Sequence, residues 1–258
     1  MLSKTIGQSQ QRIAFSEFLT RIIKPINKAL LRINRLRKIV LRFRVGKFNF
    51  SFRPFIYSDL LILFTDFEPY VKHVFKPRKG DIVFDIGAHL GLYTLAAANN
   101  IGREGMVVAF EPDDENFQLL QRNVQLNGFE NVKLVKAALG KEKCEELFCC
   151  NIDPMNSSLV WTFDVRSTRK IQVMTLDEVV ENSKLHHIDW IKIDVEGGEM
   201  DVLEGGKKAF TYLVDNVIIE TSDEKALKFL KLRKFRIERL FTLYTSYYFC
   251  VKDTSMYS

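Results

Sequence analysis

The chain has 258 residues, of which 47% are hydrophobic and 27% are charged, and it contains 13 glycines and 6 prolines. This composition excludes collagen-like, low-complexity and largely disordered proteins, because it provides enough apolar residues for a sizeable buried core. The length fits one α/β domain with appendages rather than a repeat array. The longest apolar stretch, residues 55–67, contains two aspartates and is shorter than the ~18 apolar residues of a membrane-spanning helix, so no span is predicted.

The net charge of +6 is unevenly distributed along the chain. Residues 1–50 contain 12 lysines and arginines and one acid, a net charge of +11, whereas the remaining residues have a net charge of −5. A basic arm on an acidic body favours an anionic partner, either a membrane surface or a nucleic acid. The four cysteines form no CxxC pair and have no zinc-site spacing with the four histidines. We therefore expect a reducing, cytoplasmic location and no structural zinc.

The N-terminal arm has a helical pattern. Between residues 13 and 43, apolar side chains recur every three or four positions, and basic side chains follow the same period on another face. This pattern predicts a basic amphipathic helix, bent or restarted at Pro25. Such a helix could pack on the body, meet a partner helix or RNA, or lie on an anionic membrane through residues 12–44, and its basic face favours the membrane. An organellar transit peptide is a further interpretation, which the length of the amphipathic segment disfavours.

A strand is predicted over residues 45–52, where phenylalanines alternate, and we divide the chain into an arm, residues 1–50, and a domain, residues 51–258. Strand-like and helix-like segments alternate from residue 81, which indicates a mostly parallel sheet with helices on both faces. The predicted strands cover residues 81–86, 106–110, 132–136, 171–174, 190–193 and 217–219, followed by an antiparallel pair over 235–240 and 247–251. The predicted helices cover residues 90–101, 113–127, 176–182, 200–203 and 224–232.

A glycine turn, DIGAHLG, follows the first of the parallel strands. Gly87 permits a tight turn and Gly91 lets a ligand approach the backbone, but glycines alone are weak evidence because any tight turn between a strand and a helix needs one. Glu111 ends the next strand, about 20 residues further on, where a carboxylate can accept hydrogen bonds from both ribose hydroxyls. The alternative is that Glu111 only begins the following helix. The turn and the acid together favour a nucleoside site.

Four segments, DIGAHLGLYT, AFEP, NVQLNG and IKIDVEGGEMDVLEGG, resemble the successive motifs of FkbM-type S-adenosylmethionine-dependent methyltransferases. The resemblance spans about residues 69–251 and does not include the arm. It implies a class I methyltransferase fold, which is a Rossmann-like, doubly wound, mostly parallel seven-stranded sheet with one antiparallel strand. It also implies O-methylation of a hydroxyl on a sugar, glycan or natural product, and it does not identify the acceptor.

The resemblance also assigns the cofactor contacts. Asp85 and the turn residues would hold the methionine part of S-adenosylmethionine, Glu111 would hold the ribose, and Ala137 would border the adenine. The turn residues in question are Gly87, Ala88, His89 and Gly91. His89 stands where the family often has asparagine, and its ring can still form a hydrogen bond to the cofactor; a solvent-facing turn residue is the alternative.

Acids that follow the strands predicted over residues 190–193 and 217–219 are candidates for catalytic groups. Methylation of an alcohol requires removal of its proton, so Asp194 is the first choice as general base and Glu196 the second. Asp194 could instead anchor the cofactor or the turn, and Glu199 is better explained as a helix cap. Glu220, with Asp223 and Glu224 behind it, could help to bind Mg²⁺, although such acids are more often solvated; metal use stays open.

Two other classes of function are weighed against this one. The basic arm suits a nucleic-acid methyltransferase, but the body is acidic and IKIDVEGG is not an Asn-Pro-Pro-Tyr or Asp-Pro-Pro-Tyr motif. The third hypothesis is a scaffold without activity that binds a membrane surface or RNA. It is disfavoured because the residues of the predicted cofactor site are all present, namely Asp85, Gly87, Gly91 and Glu111. The sequence does not indicate the oligomeric state.

Overall fold

The computed structural model describes Arg21 and residues 34–160, 165–240 and 246–253. Within these residues the strands are β1 (Leu41–Val45), β2 (Phe48–Phe52), β3 (Ile82–Ile86), β4 (Met106–Phe110), β5 (Val132–Val135), β6 (Ala138–Leu139), β7 (Cys144–Asn151), β8 (Val165–Met174), β9 (Ile188–Ile193), β10 (Val214–Glu220), β11 (Phe235–Leu240) and β12 (Tyr247–Lys252). The helices are α1 (Asn34–Arg37), α2 (Tyr57–Phe64), α3 (Pro69–Val74), α4 (Leu92–Ile101), α5 (Asp114–Leu126), α6 (Leu176–Ser183), α7 (Glu199–Gly205), α8 (Lys207–Tyr212) and α9 (Glu224–Leu232), and a 3-10 turn covers Pro154–Asn156.

Seven of these strands form one sheet in the order β11, β12, β10, β9, β3, β4, β5. Neighbouring strands from β10 to β5 are parallel, whereas β12 is antiparallel to both of its neighbours. This arrangement confirms the predicted class I methyltransferase fold. The chain moves outward from β3 to β4 and β5 and then returns to β9 on the other side of β3. The strand order therefore reverses between β3 and β9, which is where doubly wound sheets bind ligands at the carboxyl ends of their strands.

The sheet is buried on both faces. In β3, Val83 belongs to one cluster of core side chains, and Phe84 and Ile86 belong to the other, because successive side chains of a strand point to opposite faces. Side chains of α4 and α5 join the first cluster, and side chains of α6, α7, α8 and α9 join the second. Helices thus cover both faces, and the ends of the strands are left to form a site.

A separate three-stranded sheet contains β6, β8 and β7, with β8 parallel to β6 and antiparallel to β7. The strand predicted over residues 171–174 is the end of β8, so its placement in the main parallel sheet was wrong. β7 was not predicted, because its sequence, CEELFCCN, begins with acids and does not alternate between apolar and polar residues. This small sheet brings Leu139 and Phe148 to the site described below.

The predicted arm helix over residues 13–43 lies mostly outside the described residues. Within its described part, Asn34–Arg37 is helical, but Leu41–Val45 is a strand that pairs antiparallel with β2, so the helix prediction is wrong there. The sequence LRFRV alternates strictly between apolar and basic residues, which is the period of a strand. Gly46, with φ of 59°, turns the chain between β1 and β2, so the strand predicted over 45–52 is the second half of a hairpin.

The hairpin packs as part of the body. The boundary expected after residue 50 falls inside β2, where Phe50 and Phe52 are buried in the core. The buried side chain of Asn123 in α5 accepts a hydrogen bond from the Ser51 backbone N–H at 2.6 Å and donates to the Leu90 carbonyl at 2.8 Å. This amide therefore links the hairpin to the glycine turn. In the part of the chain that is described, no helix is both long and apolar enough to cross a membrane.

Candidate active site

A cleft of about 950 Å³, counted with its opening to solvent, lies at the carboxyl ends of β3, β4 and β9. Most of the residues singled out from the sequence line it, namely Asp85, Gly87, Ala88, His89, Glu111, Ala137, Asp194 and Glu196. Gly91 does not line it. The opposite walls come from α2, the segment after it, and the 3-10 turn, through Ile62, Phe67, Pro154 and Met155. The structure thus brings together strand ends that are more than 100 residues apart in the chain.

The glycine turn is fixed between two strands. Gly87 has φ of 83°, and a Cβ there would collide with the backbone oxygen of Asp194. The backbone N–H groups of Gly87 and Ala88 donate to the Phe110 carbonyl at 3.0 and 2.9 Å. Glycine is therefore required at position 87 because the turn lies directly against the β9 end.

Gly91 lies close to helix α5. Its φ is 95°, and a Cβ at this position would lie 2.7 Å from the Cδ1 of Leu120 in α5. It forms the N-terminal boundary of α4 in a left-handed conformation. Its conformation and packing thus account for a glycine at this position, and its contact with a ligand stays a prediction.

Glu111 is buried, with 5% of its surface exposed, and its carboxylate is held by the backbone. The N–H of His89 donates to Oε2 and the N–H of Asp113 donates to Oε1, both at 2.8 Å. Burial, with the nearby Asp113 charge, raises the pKa of Glu111 to about 8, because these hydrogen bonds do not offset the loss of hydration. A ligand that brings further O–H donors, such as a diol, would stabilise the carboxylate form.

Asp85 offers an unused acceptor at the cleft. Its Oδ2 accepts a hydrogen bond from Thr94 Oγ1 at 2.6 Å, whereas its buried Oδ1 has no hydrogen-bond partner. Burial raises the pKa of Asp85, which Lys192 and Thr94 counteract in part. A donor on a ligand would satisfy Oδ1, and an ammonium group would do so most favourably.

His89 is buried rather than solvent-facing, with 15% of its side chain exposed. Neither ring nitrogen has a hydrogen-bond partner, and Nε2 lies 3.9 Å from Oδ1 of Asp59, which is itself paired with Arg53. Burial lowers the pKa of His89, so the ring is neutral near pH 7. A neutral imidazole offers one donor and one acceptor to a ligand in the cleft.

Asp194 is bound to a buried ammonium ion. Its Oδ2 accepts hydrogen bonds from Lys192 Nζ at 2.9 Å and from Tyr247 Oη at 3.0 Å. Burial alone would raise the pKa of Asp194, but Lys192 and the hydrogen bonds from Glu220 and Tyr247 bring it below its ordinary value. Asp194 is therefore ionised throughout the neutral range. Burial alone would lower the pKa of Lys192, but the charges of Asp194 and Asp85 outweigh burial and raise it.

Two acids near Asp194, Glu196 and Glu220, hold protons more strongly than Asp194 does. Burial and the Asp194 charge raise the pKa of Glu196 to about 8 and that of Glu220 to about 10. Glu196 lines the cleft with φ of 56°, a left-handed conformation that is costly for a residue other than glycine. Its carbonyl accepts a hydrogen bond from Ser158 Oγ at 2.7 Å. The cleft thus contains two carboxyl groups, Glu111 and Glu196, whose pKa values lie near 8, and Glu196 is the one beside Asp194.

Of the acids considered for Mg²⁺, Glu220 is hydrogen-bonded to Asp194, whereas Asp223 has another role. Asp223 caps α9 by accepting a hydrogen bond from the Lys225 N–H, and Lys192 already occupies one side of Asp194. Among the described residues, the acid and histidine side chains close enough to share an ion are His187, Asp189 and Asp215, near the amino ends of β9 and β10. Those strand ends lie at the opposite edge of the sheet from the cleft.

Several residues of this site were not found from the sequence. Lys192 could have been identified from the sequence, because a lysine inside an apolar strand needs a buried carboxylate as partner. The sequence does not indicate the other three residues, Glu68, Tyr93 and Tyr247, because their positions in the chain do not show that they lie close together near Asp194. Glu199 is the first residue of α7 and not its N-cap, which is Gly198, and its side chain accepts a hydrogen bond from the Gly197 N–H at 2.8 Å.

Comparison with known proteins identifies the family. Residues 85–239 match the methyltransferase FkbM domain, which is more than half of the chain. The chain therefore belongs to the FkbM methyltransferase domain family.

Three curated methyltransferases are similar to this chain. Methyltransferase 1 of Beauveria bassiana is 27% identical over 55% of this chain and 65% of its own length, so the chain spans just under two thirds of that protein. The 31-O-demethyl-FK506 methyltransferase FkbM of Streptomyces tacrolimicus is 26% identical over 69% of this chain and 78% of its own. The hexuronic acid methyltransferase AglP of Haloferax volcanii is 25% identical over 56% of this chain and 57% of its own.

Among solved structures, the methyltransferase FkbM of Methylobacillus flagellatus superimposes with a TM-score of 0.46 and 21% identity. The match covers 66% of this chain and 43% of that one.

The contact between the turn and the β9 end can be tested with two matched glycine variants. Gly80 has φ of 88° with open space around it, so Gly80→Ala should lower the free energy of unfolding by about 1 kcal/mol through backbone strain alone. Gly87→Ala adds a collision with Asp194 and should cost about 1–3 kcal/mol more. Urea unfolding of both variants measures the difference, and equal losses would show that the turn does not depend on this contact.

Proposed function

We propose that the protein is an S-adenosylmethionine-dependent O-methyltransferase whose acceptor is a hydroxyl of a sugar, glycan or natural product. The observation that carries this proposal is the pair of carboxyl groups, Asp194 and Glu196, on the cleft wall beside a nucleoside-type site. Relatives named for a hexuronic acid and for a 31-O-demethyl natural product support the substrate class. A cytoplasmic location is part of the same proposal.

The residues of the cleft fit the cofactor. Glu111 would accept hydrogen bonds from the ribose diol, the unpaired Oδ1 of Asp85 would accept from the ammonium group, and Ala137 would border the adenine. The neutral ring of His89 adds one donor and one acceptor on the same side. When bound, S-adenosylmethionine supplies a methyl group activated by a sulfonium. The chain's own part is to hold that cation among carboxylates and to prepare the acceptor oxygen.

Preparation of the acceptor is the task of Glu196. A general base works best when its pKa lies near the working pH, and the pKa of about 8 meets this condition. Asp194 is a weak base because Lys192 and Tyr247 already stabilise its charged form. We therefore assign proton acceptance first to Glu196, and Asp194 supplies the fixed negative charge that helps to raise its pKa. This order is the reverse of the one expected from the sequence.

The same charges favour a hydroxyl over a carboxylate as acceptor. An acceptor carboxylate would be repelled by ionised Asp194 and by Glu196, and it would need no base. A neutral hydroxyl has no such repulsion and does need one. The acidic wall thus selects against anionic acceptors at the reacting position.

Contact with an anionic membrane through residues 12–44 is proposed separately. In the described part of this segment, apolar and basic side chains are exposed together. The exposed side chains are Arg35, Lys38, Ile39, Leu41, Arg42, Phe43 and Arg44. This combination suits a lipid surface better than a nucleic acid, because nucleic acids would use the charges alone.

Cofactor binding is tested through Glu111. Glu111→Ala should weaken binding of S-adenosylmethionine and of its demethylated product by about 1.5–3 kcal/mol, as expected for hydrogen bonds to a charged group. Isothermal titration calorimetry measures this change, with the exposed Glu104→Ala as control that should bind normally. Absence of binding by the wild type, or unchanged binding by Glu111→Ala, would remove the cofactor assignment.

The base is tested by the pH dependence of turnover. In a screen with labelled cofactor against glycans, lipid-linked sugars and RNA, the wild-type rate on its acceptor should rise with pH and level off above about 8, as Glu196 loses its proton. Glu196→Gln should lower kcat by about 10²–10⁴-fold and remove this rise. Asp194→Asn removes a neighbouring negative charge, so the rise should move to lower pH. If Asp194→Asn instead removes the rise and Glu196→Gln keeps it, Asp194 is the base.

A further inference from the structure

A chain of hydrogen bonds reaches Asp194 from behind the cleft wall. Tyr93 Oη donates to Glu68 Oε2 at 2.6 Å. Tyr247 Oη, which is buried, lies 2.8 Å from Glu68 Oε1 and 3.0 Å from Asp194 Oδ2. The chain joins the residue before α3 to α4, β12 and the end of β9.

The number of protons in this chain is constrained. A phenol has one proton, and Tyr247 is hydrogen-bonded to Glu220 as well as to Glu68 and Asp194, so it can donate to only one of these three carboxyl groups. Each other contact needs a proton on the carboxyl group, and Glu220, whose pKa is raised to about 10, carries its own. Asp194 already accepts a hydrogen bond from the Lys192 ammonium at 2.9 Å, which favours its ionised form. The proton therefore belongs on Glu68, whose Oε1 then donates to Tyr247 while Tyr247 donates to Asp194.

The groups that face Glu68 support this assignment. They are Tyr93 from α4, Tyr247 from β12, and Lys192 and Asp194 from the β9 end. Lys192 is the cation of this set, and its Nζ is committed to Asp194 and to the Tyr93 ring, 4.9 Å from the ring centroid. Burial raises the pKa of Glu68, and the attraction of Lys192 does not cancel that effect.

The backbone at Glu68 is held in an unfavourable conformation. Its φ of 49° lies in the left-handed region, immediately before Pro69 begins α3. Its neighbour, Phe67, lines the cleft. The two hydrogen bonds of the Glu68 side chain therefore fix the segment that presents Phe67, as well as the phenol that contacts Asp194.

We propose that Glu68 is a positioning residue that works as a neutral carboxylic acid, donating through Tyr247 to ionised Asp194 and holding Phe67 on the cleft wall. The effect on turnover rests on the proposed function, because it acts through Asp194 and Glu196. The protonation of Glu68 is a property of the folded protein, and it can be measured without any substrate.

The pH dependence of thermal unfolding tests the protonation. A carboxyl group that keeps its proton in the folded state contributes stability that is complete below its unfolded pKa and is lost as pH rises towards the folded pKa. Glutamine offers the same donor and acceptor without titrating. The Tm of Glu68→Gln minus that of the wild type should therefore increase between pH 5 and 9, by up to about 3 °C per pH unit. The exposed Glu104→Gln is the control and should give a flat difference.

Turnover provides the second readout. At pH 7, Glu68→Gln should retain kcat within about threefold of the wild type, because it keeps both hydrogen bonds. Glu68→Ala and Tyr247→Phe each break the chain and should lower kcat about tenfold with unchanged cofactor Kd. A Tm difference that is flat or decreases with pH would show that Glu68 is ionised and would overturn the proposal.

Failure of Glu68→Gln to fold would also count against a neutral acid, and Tyr247→Phe then supplies the independent test. Wild-type kcat in Tyr247→Phe would overturn the positioning role. If turnover proves insensitive to Glu196→Gln while the Tm series behaves as expected, the proposed function fails and the protonation of Glu68 stands.

Discussion

The ion pair between Lys192 and Asp194 determines the protonation of the candidate site. Lys192 is almost completely buried in β9, and a buried ammonium ion is stable only with a carboxylate at hydrogen-bond distance, which Asp194 provides at 2.9 Å. This single positive charge cannot stabilise every nearby carboxylate in ionised form. Asp194 has the direct contact and stays charged, and burial together with this charge raises the pKa values of Glu196 and Glu220. The base strength at the cleft thus depends on burial and on the charge of Asp194, which Lys192 stabilises.

The main sheet could be predicted from the sequence because most of its strands are nearly continuous apolar runs. The segments between these strands have apolar residues at every third or fourth position, as helices do. The same reasoning located Asp85, Glu111 and Asp194, since the carboxyl ends of parallel strands share one edge of a sheet. The prediction was wrong where the local sequence pattern does not determine how a segment pairs or packs in the fold. The segment LRFRV was predicted as part of the amphipathic helix, although its apolar and basic residues alternate as in a strand. The end of β8 was assigned to the main sheet, because the local sequence does not show which strands pair.

The rest of the site depends on contacts between distant parts of the chain. Glu68 and Tyr247 are 179 positions apart, yet their side chains lie 2.8 Å from each other. Periodicity reports which face of an element is apolar, and it carries no information on which polar side chains meet across elements. Gly91 shows a different case, because the φ of 95° favours glycine at this position whether or not a ligand approaches it.

The proposed chemistry requires Glu196 to exchange a proton near neutral pH while Asp194 remains ionised. A carbon-13 NMR titration of the side-chain carboxyl groups in the wild-type protein, assigned with Glu196→Gln and Asp194→Asn, measures both without a substrate. We expect a midpoint near pH 8 for Glu196 and no titration of Asp194 above about pH 5. A Glu196 midpoint below about pH 5, or protonation of Asp194 in the neutral range, would contradict the proposed chemistry.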